Sequence, residues 1–271
     1  MHAIPLSFLL VTIFAGFIQV LSGSSSSLLL FDVSRGSDKV KVSTNHNTGF
    51  IIESLRCIED HSIFQKFILH THRASNSKDS LNKMKYEDNL EKLIHSCKTV
   101  AKTYLEYPTA SYVYLGKDQN DGIVVCKLKN EFIISDNRDA DRYPVVKSKV
   151  IIRTSIENML SLLLNSKNVK LTNSYSLGRD DIEIISKNKK IVYNRSKIPI
   201  ILQSHDYVTL MHWIQDTQNS YMIVSKGVTH EKCPINKDYT RSEIILGVNY
   251  LKRISKDITE LITINHIKYT R

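Results

Sequence analysis

Two histidine–carboxylate neighbours are the first residues in this chain that could do chemistry: His205-Asp206 and His230-Glu231. An imidazole and a carboxylate converging on one atom supply general acid–base catalysis. Here the partners are adjacent in sequence, and neighbours on a strand point to opposite faces. Neither pair is a dyad by itself. Arg241 and Glu243, two apart, share one face of any strand they occupy, as a working charge pair or as a surface ion pair of little energy. The sequence carries no H-E-x-x-H, no G-x-S-x-G, no phosphate-binding glycine loop and no cysteine–histidine signature. The reading is of a protein that is not an enzyme and uses neither metal nor cofactor.

Four cysteines, Cys57, Cys97, Cys126 and Cys233, are widely spaced, with no C-x-x-C rhythm. They allow three full disulfide pairings, and buried free thiols fit equally well. Cys97 falls on the apolar face of a predicted helix, which favours a thiol there. Asn194-Arg195-Ser196 is an N-glycosylation sequon.

The elements that position these residues begin with a segment to set aside. Residues 3–21 are mostly apolar and end at Ser22-Gly23 before a serine run. This reads as a signal peptide over residues 1–23 and a secreted protein; the alternative is an uncleaved anchor. Thirty-seven basic against 27 acidic residues give a formal charge of +10, which favours anionic partners such as phospholipid surfaces or sulfated glycans. A secretory route leaves nucleic acid out. Residues 24–80 form an N-terminal extension around an apolar patch at 50–69, read as a helix, with a linker at 71–80.

Leu90, Leu93, Ile94, Cys97, Val100, Ala101, Tyr104 and Leu105 recur at helical spacing, so residues 86–107 are an amphipathic helix that Pro108 stops. Strands follow at 111–116, 123–129 and 144–153, the last with Val146, Ser148, Val150 and Ile152 on one face. Thr154-Ser155-Ile156-Glu157 reads as a capping box opening a short helix. Alternating segments at 182–186, 190–194, 205–215, 221–229, 240–250 and 257–269 then make an antiparallel meander, the first two joined around Asn188-Lys189. An antiparallel sheet has one face to bury. Wrapped around a helix it gives an α+β grip, with room for a cavity.

Three runs, in order, carry a family resemblance. Ile191-Val192-Tyr193 leads through Ile198-Pro199-Ile200 to His205-Asp206-Tyr207-Val208 and Trp213; Tyr221-Met222-Ile223-Val224-Ser225 leads to His230-Glu231-Lys232-Cys233-Pro234; and Thr240-Arg241-Ser242-Glu243 precedes residues 261–267. From residue 86 to 269 the chain resembles the START lipid-transfer family. The resemblance implies a domain over residues 81–271 with a helix-grip α+β fold. Its curved antiparallel sheet and N-terminal helix would surround a hydrophobic cavity for one lipid of the phospholipid, sterol or ceramide class. It further implies a lipid site among His205, Asp206, Tyr207, Trp213, Arg241 and Glu243. The family's usual arginine before the aspartate is His205 here, so a phosphate clamp gives way to pH-dependent head-group binding or a neutral lipid. Lys197, Ile198, Ile200, Ile201 and Leu202 correspond to a mouth loop that docks on an anionic membrane. The family's closing helix, after an "HVDP.G" turn, has no counterpart in these residues: either the sequence is truncated or another element covers the cavity, with the 50–69 segment as the candidate cover. The expected state is a monomer. The alternative function is a secreted basic module that binds a membrane surface or host partner without transferring lipid.

Overall fold

The computed structural model describes residues 78–117, 123–134, 142–173, 175–198 and 201–270, with the side chains of 78–85, 171–172, 198 and 201–203 left aside. The signal peptide, the 50–69 segment, Cys57 and the turn at 118–122 lie outside the described residues.

The apolar stripe read from the sequence folds as α1, Lys78–Glu106. Leu90, Leu93, Ile94, Cys97, Ala101 and Tyr104 are its buried face. Pro108 cannot continue the helix, because its ring would meet the carbonyl of residue 104 and it has no N–H to donate. The freed carbonyls find other donors. The Tyr112 hydroxyl donates to Tyr104 O, and Lys147 Nζ lies 3.2 Å from Leu105 O. A cation at a helix C-terminus also suits the macrodipole.

Ten strands follow: β1 Tyr112–Lys117, β2 Val124–Leu128, β3 Val145–Ile152, β4 Ser176–Ser186, β5 Lys189–Ile198, β6 Ile201–Thr217, β7 Ser220–Gly227, β8 Thr240–Arg241, β9 Glu243–Ser255 and β10 Ile258–Lys268. They form one sheet in the order β1-β2-β3-β10-β9-β7-β6-β5-β4, antiparallel throughout, with β8 pairing in parallel against β6. Between β3 and β4 lie α2, Ile156–Leu164, and a short α3, Val169–Thr172. The architecture is an α+β helix grip.

Three local readings need correction. Ser155, not Thr154, caps α2: its hydroxyl accepts the Asn158 N–H at 3.2 Å, and Glu157 turns outward to pair with Arg253. Thr154 instead offers its carbonyl to the Thr259 hydroxyl at 2.8 Å. The β4–β5 turn is at Lys187-Asn188, since Lys189 already pairs with Ser186. The expected strand at 240–250 is broken at Ser242, where β8 leaves to join β6 while β9 pairs with β7 and β10.

A larger difference concerns burial. The sheet buries both faces, not one. Tyr207, Met211, Ile223, Leu251 and Leu261 pack with Ile156, Met159 and Leu163 of α2. Val208, Leu210, Met222, Val224 and Val248 pack with Leu90, Leu93, Ile94 and Cys97 of α1. Every residue from His205 to His212 is therefore buried.

Candidate functional site

Strand parity divides β6 between the two faces. His205, Tyr207, Thr209, Met211 and Trp213 lie on the α2 side, and Asp206, Val208, Leu210, His212 and Ile214 on the α1 side. Cross-strand register then lays out the α2 face in rows. Trp213 opposes Ile223, Ile223 opposes Asn249, Asn249 opposes Thr263, and Thr263 opposes Ser148. In the next row Met211 opposes Ser225, Ser225 opposes Gly247, and Gly247 opposes Asn265. Thr209 opposes Gly227 beyond them.

The floor of this face is consequently small and polar: Thr209, Ser225, Gly227 and Gly247 sit side by side on three strands. A Cβ on Gly247 would lie 3.2 Å from Ser225 Cβ, so a larger residue there would have to push Ser225 aside by a few tenths of an ångström. The apolar side chains of the same face, Met211, Trp213, Tyr221, Leu251, Leu261 and Val150, pack into one core cluster with α2. Ser148 Oγ and Thr263 Oγ1 satisfy each other at 2.6 Å.

One end of the face is polar. His205 is buried, with Nδ1 2.8 Å from Ser242 Oγ, which also accepts the Thr270 N–H at 3.2 Å. The Tyr269 ring stands edge-on to His205 at 5.7 Å. Tyr207 hydrogen-bonds with Ser196 and Tyr269, and burial pushes its phenol up to about 12. Burial also drives the His205 imidazole below its ordinary range, against the pull of Asp206. At neutral pH this end therefore presents hydroxyls and an uncharged imidazole.

The charged groups near β6 are occupied. Asp206 is fully buried, and Arg241 reaches it with two parallel bonds, Nε to Oδ1 at 2.8 Å and Nη2 to Oδ2 at 2.9 Å. The Tyr193 hydroxyl donates to Oδ2 at 2.8 Å. Arg241 also donates to Cys233 O at 3.3 Å and Pro234 O at 3.0 Å. Parallel β8–β6 pairing sets this fork, with Asp206 opposite Arg241 and the Ser242 N–H on Asp206 O at 3.0 Å. A bidentate guanidinium–carboxylate contact is among the stronger polar arrangements.

A second buried network pins α2 to the sheet. Lys190 Nζ donates to Leu164 O at 2.7 Å and to Asp181 Oδ1 at 2.7 Å. Arg179 donates to Leu163 O at 2.8 Å and to Ser166 Oγ at 3.0 Å. Burial lowers both cations' affinity for the proton. Burial works to raise Asp181, but hydrogen bonds from Lys190 and Ser166 prevail and hold it below its ordinary value. Two cations on the last carbonyls of a helix also answer its dipole.

Of the residues picked from sequence, the structure brings His205, Tyr207 and Trp213 to the α2 face. Asp206 and Arg241 bind each other on the α1 side. Glu243 is exposed at the start of β9, 3.8 Å from Lys226. Arg241 and Glu243 thus serve different partners. Lys197 is exposed at the end of β5; Ile200 and the side chains of Ile198, Ile201 and Leu202 lie outside the description. Sequence reasoning missed Ser196, Ser242 and Tyr269 at the polar end. Only Tyr269 left a signal, as the next alternating position after Ile267. Cys97, Cys126 and Cys233 are free thiols. Among the described residues no helix is long and apolar enough to cross a membrane.

Residues 140–270 match the START domain family. Among solved structures the chain is similar to human STARD10, at 16% identity and TM-score 0.55, covering 64% of this chain and 66% of that one. It is similar to human StAR-related lipid transfer protein 5, at 15% identity and TM-score 0.55, covering 66% and 84%. The lipid transfer and protein localization domain of human StarD13 (DLC2) aligns at 16% identity and TM-score 0.51, covering 66% and 83%. At such identities the likeness is one of fold. No curated protein sequence matches the chain.

Proposed function

We propose, from the premise that this chain belongs to the START domain family through residues 140–270, that it is a non-catalytic lipid-binding protein holding one lipid against the α2 face of its sheet. The observation that carries the reading is the composition of that face: apolar side chains shared with α2, a row of small residues at Thr209, Ser225, Gly227 and Gly247, and a polar end at His205, Tyr207 and Tyr269. The likeness in fold to proteins described as lipid transfer proteins supports it. An acyl chain or sterol body gains about 0.8 kcal/mol for each methylene taken from water. A polar head buried with it must find hydrogen bonds.

The chemistry of the polar end favours a head group that is uncharged or carries a hydroxyl. Arg179, Lys190 and Arg241 are committed to internal partners, and His205 is neutral at physiological pH. In this reading Asp206 and Arg241 position the lining rather than touch the lipid, and Glu243 takes no part. Trp213 contributes wall. The protein is secreted after loss of residues 1–23 and acts as a monomer, with 24–80 as an extension. It docks on anionic membrane through Lys197, Ile198, Ile200, Ile201 and Leu202.

Native mass spectrometry of the purified protein, with organic extraction, tests the function. A stoichiometric lipid, expected to be neutral or hydroxyl-bearing, supports it and identifies the class. Folded protein without lipid, even after incubation with liposomes, refutes it and leaves a basic interaction module.

A further inference from the structure

Ile235 is 80% exposed, the most exposed large apolar side chain among the described residues. It lies in the 228–239 connection between β7 and β8, and the backbone on both sides of it is held by hydrogen bonds. On the near side His230 is buried, with Nε2 3.0 Å from Glu183 Oε2 on β4. Its Nδ1 accepts the Lys232 N–H at 3.2 Å, which assigns the ring proton to Nε2. Cys233 is buried, and the Arg241 guanidinium holds the carbonyls of Cys233 and Pro234 at 3.3 and 3.0 Å. On the far side the Asn236 side chain accepts the Asp238 N–H at 3.0 Å, and Asn236 O accepts the Tyr239 N–H at 3.1 Å. A fully buried carboxylate, Asp206, anchors the clamp. Such a structure displays an isoleucine; it does not merely fail to cover one.

We infer that Pro234-Ile235 is a membrane-insertion tip that seats the protein on an anionic phospholipid bilayer. The inference deepens the docking part of the function proposed above and rests on it. Register gives the geometry. His205 pairs with both Ser196 and Thr240, so the end of β5 and the start of β8, into which the 228–239 connection leads, lie at one end of the sheet. That is also the end where His205, Tyr207 and Tyr269 gather. Exposed Lys232 and Lys237 flank the tip, and exposed Lys197 stands at the end of β5. Glu231 and Asp238 balance the flanking lysines locally. Long-range attraction therefore comes from the chain's charge of +10, and the tip contributes apolar insertion. Two other exposed isoleucines serve as internal references. Ile184 on β4 pairs with Lys190 beside the β4–β5 turn, and Ile254 adjoins the β9–β10 turn, both at the opposite end of the sheet.

Co-sedimentation with vesicles of phosphatidylcholine and phosphatidylserine tests the tip. Ile235→Asp is expected to weaken partitioning about ten-fold or more, the transfer preference of one exposed isoleucine. Ile184→Asp and Ile254→Asp should each stay within about two-fold of the unaltered protein. Ile235→Trp should give a blue-shifted emission on mixing with the same vesicles. Undiminished binding by Ile235→Asp, or equal loss in all three variants, overturns the tip. Lipid content is read on the same preparations. An unaltered protein that carries no lipid yet loses vesicle binding in Ile235→Asp refutes the lipid-carrier reading and upholds the tip.

Discussion

Replacing Arg241 by methionine strands a carboxylate. Asp206 is fully buried, and after the substitution only the Tyr193 hydroxyl, 2.8 Å from Oδ2, still answers it. Breaking a buried ion pair from one side costs about 3–5 kcal/mol, because the remaining charge keeps its desolvation penalty. The Arg241 side chain is 23% exposed, so water already shares its charge, and the low end, about 3 kcal/mol, is expected. Loss of the bonds to Cys233 O and Pro234 O acts in the same direction. With a urea slope of about 2 kcal/mol per molar, the unfolding midpoint should fall by about 1.5 M. The double variant Asp206→Leu, Arg241→Met removes both charges. It should recover part of the loss, since an apolar replacement of a buried pair is often near neutral. A loss below about 1 kcal/mol in the single variant would refute the reasoning. So would a double variant whose loss equals the sum of the two singles.

Two further outcomes follow from the same geometry. His212 is buried under α1, and burial first, then Lys98 and Lys189, push its imidazole down to about 4. An unfolded histidine titrates near 6.5, so the unfolded chain takes up the proton first, and stability present above about pH 6.5 is lost as the pH falls toward 4. Chemical unfolding should show about 2 kcal/mol less stability at pH 5 than at pH 7 from this group, and His212→Gln should flatten that slope. Ser155→Ala should cost about 1 kcal/mol and lower Tm by a few degrees, more than Thr154→Ala; the reverse order would return the cap to Thr154.

What the sequence made legible was periodic and local. The stripe Leu90, Leu93, Ile94, Cys97, Ala101, Tyr104 announced α1, although Leu81 and Met84 alone in a lysine-rich start did not extend it, and the helix begins at Lys78 rather than at residue 86. Alternation in β3, Val146 to Ile152, gave the right face. Where two helices cover the two faces, alternation disappears: the run from His205 to His212 is buried throughout, so it could not say which residues look toward α2. The partners of the candidate site come from far away in sequence. Asp206 meets Arg241 through β6–β8 pairing, His205 meets Ser242 just beyond it, and His230 in the 228–239 connection meets Glu183 on β4, contacts that no local pattern encodes. The cap was displaced by one residue because Thr154 and Ser155 offer the same hydroxyl, and only backbone direction chooses between them.

The position of β10 governs how this sheet can be made. It is the last described strand in the chain, yet it sits between β3 and β9, with Leu261 opposite both Val150 and Leu251. During synthesis β1–β3 can pair with one another, and β4–β9 can build their own ladder. The two blocks remain unjoined until residues 258–268 have left the ribosome. Closure then requires residues more than a hundred positions apart to meet, as Ser148 and Thr263 do, which places folding in the slow, millisecond-to-second regime of non-local sheets. Until that moment the nascent chain exposes two open strand edges, at β3 and β9, and a chaperone would find its natural client interval there.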